Sequence, residues 1–150
     1  MIHLIHTPSL YNFFFDFINY TFIVFIFYYF LRKKVIDLQL FFCLIICSSS
    51  PFFVNHYIFD WGFMPDQAKY YSQANALRNF EFDKLGKLTT IVPSIIYAIF
   101  PIPFIETINS IGFINKCILG LTTIYLYHKK EINNLFFILI NFWPSVILYS

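Results

Sequence analysis

Apolar residues run along this chain in long blocks, broken by short polar or basic stretches. The first block, about Tyr11 to Leu31, reads YNFFFDFINYTFIVFIFYYFL and stops at Arg32-Lys33-Lys34. A helix needs about 20 predominantly apolar residues to cross a bilayer, and this block supplies them. The second, about Val35 to Val54, contains Ser48-Ser49-Ser50-Pro51. That run predicts a bend or an end near one surface, with neighbouring helices satisfying the freed backbone groups. The third, about Thr89 to Ile105, carries Pro93, Pro101 and Pro103, and reads as a kinked span or a re-entrant segment. The fourth, about Phe113 to Tyr127, is short unless it borrows residues from the preceding ETINSIG, and His128-Lys129-Lys130-Glu131 closes it. The fifth runs from about Ile132 to Ser150. Because the chain stops inside an apolar block, it is expected to be the N-terminal part of a longer multi-span protein. The fold expected is all-α: one membrane domain, 1–150, forming a polytopic transmembrane helix bundle.

One segment breaks this pattern. Between Asn55 and Leu88 the chain turns polar, and its middle, PDQAKYYSQANALRN, has helical character. Pro65 suits the first helical position, where its missing N–H costs nothing. Asp66 follows in the first turn, where negative charge complements the helix dipole. Tyr70, Ala74, Leu77 and Phe80 recur on one face, and Lys69, Gln73 and Arg78 lie on the other. This predicts an amphipathic helix of about four turns, lying along the membrane interface with its Tyr rings at headgroup level.

Composition supports the membrane setting. The chain is 59% hydrophobic and 12% charged, with mean hydropathy +0.66, whereas soluble domains carry about 25% charged residues. A net charge of +2 without a large basic cluster gives nucleic-acid binding no support. Cys43, Cys47 and Cys117 lie inside apolar stretches, which suggests buried thiols instead of a disulfide frame. Met1 to Leu10 lacks a basic start, and no small-residue cleavage site follows the first block, so a removed signal peptide is not expected. Asp16, near the start of the first block, is expected at the interface with its carboxylate in water. Phosphate-binding glycine loops, HExxH and GxSxG are absent. No cofactor is implied, although carboxylates at the loop could hold a divalent metal. His3 and His6 are spaced for a metal but sit at the chain start, where fraying explains them.

Orientation is not settled by charge. The positive-inside rule applied to Arg32-Lys33-Lys34 places loop 55–88 outside. Simple alternation of spans then puts His128-Lys129-Lys130 outside as well, against the same rule. A re-entrant third segment would change the alternation.

The polar loop also offers chemistry. Asp60 and Asp66 follow a span at the water–lipid boundary, where a lipid-linked substrate presents its phosphate and sugar. A carboxylate there could act as a general base on an acceptor hydroxyl, with Lys69 or Arg78 offsetting phosphate charge.

PDQAKYYSQANALRN resembles the first large loop of multi-span, GT-C-type glycosyltransferases that use lipid-linked sugars, the protein-mannosyltransferase-like and aminoarabinose-transferase-like enzymes. Asp66, Tyr70 and the ANALR helix occupy the places of that loop's acid, tyrosine and small-residue helix. SIGFINKCILGLTTIYLYHKK resembles the family's next stretch, with Lys116 where those proteins often carry Arg. FWPSVILYS resembles a Pro-Ser segment of a later span. The resemblance covers about Asp60 to Ser150, and it departs at Gln67, where a second acid would stand. It implies sugar transfer from a polyprenyl-phosphate carrier to a hydroxyl, with Asp66 and Asp60 as catalytic acids. Lys69, Tyr70, Arg78 and Lys116 would bind substrate. The partners implied are the bilayer and the lipid-linked sugar donor. The location implied is the cytoplasmic membrane, with loop 55–88 facing the periplasm or outside. The alternatives are a polysaccharide polymerase or ligase of the same setting, and a non-catalytic multi-span subunit or transporter fragment.

Overall fold

The computed structural model of the chain describes residues 10–53, 65–99 and 110–143, and every regular element among them is helical. Helix α1 (Leu10–Arg32) follows the first apolar block. Its Phe13–Arg32 portion is, among the described residues, the one helix both long and apolar enough to cross a membrane. The second block begins later than its hydropathy suggests. Asp37 caps α2 (Leu38–Ser48), its carboxylate accepting from the Leu40 amide at 2.9 Å. The predicted Ser-Pro break is present: α2 ends at Ser48, and α3 (Ser50–Phe53) follows after Ser49. Ser49 Oγ donates to the Ile46 carbonyl at 2.7 Å, a side-chain bond that competes with the helical ladder.

The polar segment forms α4 (Pro65–Arg78), and a short 3₁₀ turn, Phe82–Lys84, leads to α5 (Leu88–Ile99), which carries Pro93 inside it. The two helices pack together. The predicted apolar row holds in part: Ala74 is buried and Tyr70 and Leu77 are half-buried, but Phe80 is 78% exposed, and Gln73 and Ala76 are buried beside Ala74. The helix stops at Arg78, and Phe80 adopts φ 57°, so it cannot continue the row. Small side chains allow close approach to α5, and the Gln73 amide is satisfied there. It lies 3.0 Å from Thr90 Oγ1 and 3.3 Å from Ser94 Oγ.

Helix α6 (Ser110–His128) takes in the end of the preceding break and is longer than the fourth apolar block. Helix α7 (Asn134–Phe142) follows. The helices α1, α2, α6 and α7 pack into one bundle. Ring contacts fix the register. Phe52 lies 5.9 Å from Phe13, 5.5 Å from Tyr20 and 5.1 Å from Phe113. At the other level, Gly120 sits beside Phe27 and Leu44. Thus α1 and α6 run parallel, and their basic C-terminal ends lie at the same end of the bundle. Simple alternation had placed them on opposite sides.

The two hairpins also repeat each other. Tyr29, Lys33, Lys34, Ile36 and Asp37 correspond, 96 positions on, to Tyr125, Lys129, Lys130, Ile132 and Asn133. Each copy has the same local structure. Lys34 and Lys130 take φ 56° and 61°. Their amides donate to Leu31 and Tyr127 carbonyls, and the next amides reach back to Phe30 and Leu126, the Schellman termination. Asn133 caps α7 as Asp37 caps α2, accepting from the Phe136 amide at 3.0 Å.

The bundle core is apolar, with Phe27, Phe113 and Phe137 fully buried, but it also encloses polar side chains, and many further aromatics face outwards. Asp16, Asn19, Ile23 and Phe27 form the inward stripe of α1, while Phe13, Phe14, Phe17 and Phe25 each expose more than half their surface. In α7, Asn141 is buried, while Leu135, Phe136 and Trp143 face out. Asn141 Nδ2 donates to Thr123 Oγ1 of α6 at 3.2 Å.

Candidate functional site

Buried polar groups collect at the end of the bundle away from the basic turns. Asp16 and Asn19 lie on α1, Ser48 and Ser50 at the α2–α3 break, and Lys116 on α6. All are less than 9% exposed, and Asp16 and Lys116 are 0% and 2%. Ser50 Oγ has no hydrogen-bond partner among the described residues. At 1.5 Å per helical residue, Asp16 stands about 25 Å from Lys33 along α1, and Lys116 about 20 Å from Lys129 along α6. Burial of Asp16 corrects the interfacial, water-facing position expected for it. Its inward direction follows from the phase it shares with Ile23 and Phe27.

The α4–α5 pair docks at this same end. Tyr97 of α5 donates its hydroxyl to Asn115 Oδ1 of α6 at 2.9 Å, one residue from Lys116. The Tyr97 ring lies 6.1 Å from that of Tyr70. Tyr71 and Tyr97 also pack against the core.

The predicted site residues are distributed as follows. Tyr70 is brought towards Lys116 through Tyr97 and Asn115. Arg78 donates its Nε to the Ala98 carbonyl at 3.0 Å, joining α4 to α5. Lys69 is exposed on α4. Asp66 lies in the first turn of α4, one turn before Tyr70. Asp60 lies outside the described residues, as do His3 and His6. Cys43, Cys47 and Cys117 are buried free thiols, in keeping with a packing role. No group of three or more metal-ligating side chains occurs among the described residues.

Sequence reasoning missed Asn19, Ser50, Asn115 and Tyr97. A signal for Asn19 was present: Asp16 and Asn19 are i, i+3 neighbours, one polar stripe in an otherwise apolar helix. In hydrocarbon such a stripe marks the inward face. The pairing of Tyr97 with Asn115 has no local signal.

Known protein families, curated proteins and solved structures were compared with the chain, and none of them matches it.

Proposed function

We propose that the chain is a polytopic membrane protein acting on a lipid-linked sugar, as a glycosyltransferase or part of one. The observation that carries this reading is the buried polar end of the bundle, Asp16, Asn19 and Lys116, with the α4–α5 pair docked over it. Within the helices of the bundle Asp16 and Lys116 face inwards while many large aromatic side chains face outwards, an arrangement suited to a hydrocarbon solvent. In this reading α1, α2, α6 and α7 cross the bilayer. The basic turns lie in the cytoplasm, and α4 and α5 lie on the periplasmic or outer side.

The carrier phosphate then sits about 20–25 Å from the basic turns, near the far boundary of a hydrocarbon layer about 30 Å thick. Lys116 supplies positive charge from within the bundle. Asp66, opening α4, takes the acceptor proton, Asp60 is the second acid, and Lys69 and Tyr70 hold substrate. A non-catalytic subunit is the second reading, favoured by the use of Arg78 to bind the α5 backbone.

The test uses membranes from cells expressing the protein and a panel of radiolabelled polyprenyl-phosphate sugars. Wild type should transfer label to a hydroxyl acceptor. Asp66→Asn should insert equally well by carbonate extraction and lose about 10²–10⁴-fold in transfer, the range for a general base. Full activity in that variant removes Asp66 from the chemistry. An inactive wild type across the panel rejects transfer by this chain alone and favours the subunit.

A further inference from the structure

The second end of the bundle carries a feature that sugar transfer does not use. Arg32, Lys33 and Lys34 from one turn and His128, Lys129 and Lys130 from its repeat are all exposed, and they lie at one end because α1 and α6 are parallel. Asp37 and Glu131 are the acidic side chains of these two turns, which leaves the Lys and Arg residues in excess. Between the turns lies a cavity of about 610 Å³. Val35 of the first turn and Phe136 of α7 give it apolar walls, and His128, Lys130 and Asn133 give it polar ones. Glu131 also lines it, matching the charge of Lys130, and the positive excess at this end comes from Arg32, Lys33, Lys34 and Lys129. The lysine stems on either side are held in place: Lys33 Nζ lies 5.6 Å from the Tyr29 ring centroid, and Lys129 Nζ 5.8 Å from that of Tyr125.

The geometry points to a binding site for an anionic phospholipid. Its phosphate would sit among Lys34, His128 and Lys130, and its glycerol and first acyl carbons against Val35 and Phe136. Two observations carry this beyond a general charge preference. Basic residues of two turns lie at one end of the bundle, Lys34 next in sequence to Val35 and Lys130 in the cavity wall itself, and that wall has both apolar and polar parts, as a headgroup joined to acyl chains requires. A juxtamembrane basic cluster of this kind is attracted to anionic lipid at the surface, and the Tyr rings belong at headgroup level.

The test is native mass spectrometry of the full chain in a neutral detergent, titrated with phosphatidylglycerol, phosphatidylcholine or inorganic phosphate. Wild type should bind phosphatidylglycerol saturably and in preference to phosphatidylcholine. The double variant Lys34→Gly, Lys130→Gly removes both charges at positions whose left-handed backbone glycine adopts freely. It should melt no lower than wild type without lipid, yet bind phosphatidylglycerol about thirty-fold more weakly. Equal binding of the two lipids, or undiminished affinity in the double variant, overturns the site. Saturation by inorganic phosphate at the same concentration overturns the lipid assignment. None of these readouts depends on sugar transfer.

Discussion

Gly120 tests the bundle at its tightest point. A Cβ built there collides with Phe27 Cζ, comes within 2.7 Å of Phe27 Cε1 and within 3.3 Å of Leu44 Cδ2. Phe27 is 0% exposed and Leu44 1%, so neither can swing into open space. Gly120→Ala therefore sets two effects against each other. Alanine in a helix interior gains about 1 kcal/mol over glycine. Overpacking a filled core costs about 1–3 kcal/mol. The expected net is a loss of about 1 kcal/mol, read by far-UV circular dichroism during thermal or mixed-micelle denaturation. The sign is the diagnostic. With Phe27→Leu in the background, the ring is gone and Gly120→Ala should turn neutral or stabilising, giving a coupling of about 1–2 kcal/mol between the two sites. If Gly120→Ala stabilises by about 1 kcal/mol in both backgrounds, α6 does not press on α1 here, and the parallel packing drawn from this contact is wrong.

Two further outcomes follow from the same bundle. Thr123→Val keeps side-chain volume but removes the acceptor for Asn141 Nδ2, leaving it with the Phe137 carbonyl at 2.9 Å; the loss should be about 0.6–1.7 kcal/mol, the range of helix–helix hydrogen bonds in membranes, and no loss on denaturation would show that the two helices are not joined there. Lys33→Cys, Lys69→Cys and Lys129→Cys test topology with a membrane-impermeant maleimide, against the low background of three buried native thiols. In intact cells Lys69→Cys should label, while Lys33→Cys and Lys129→Cys should label only after permeabilisation. Labelling of Lys33→Cys and Lys129→Cys on opposite sides would refute the parallel arrangement.

The sequence made the long elements legible and hid their mutual arrangement. The first apolar block predicts α1 closely because length and composition alone define it. Its inward face was obscured, since nearly every position is apolar and no contrast remains for a periodic pattern to show. The contrast lies in the rare polar residues, Asp16 and Asn19, and in hydrocarbon they point in, not out. The α4 row was read only in part, for a related reason. Ala74 is buried and Tyr70 packs on Tyr97, but the most buried face takes in Ala76 and Gln73, which the row left out. The partners of Gln73, Thr90 and Ser94, sit on the next helix, beyond the reach of any local rule. Lys116 was picked out and is buried where polar groups collect. Asp66 was placed at the opening of a helix, and α4 begins at Pro65.

The repeat explains why alternation misleads. Each hairpin carries a basic turn between an incoming and a returning helix, and two such hairpins side by side in parallel need an even number of crossings between the turns. In the proposed topology α2 and α6 are the two crossings, and α4 and α5 need not cross. Helix α5, described as far as Ile99, packs on α4. In that topology both basic turns obey the positive-inside rule, whereas with α5 as a further crossing only one of them would. The proposed topology puts the α4–α5 pair on the far side, at the end of the bundle where Asp16, Asn19 and Lys116 are buried and where Tyr97 meets Asn115. In that reading the two alike hairpins leave one end of the bundle for charge and headgroups and the other for the α4–α5 pair.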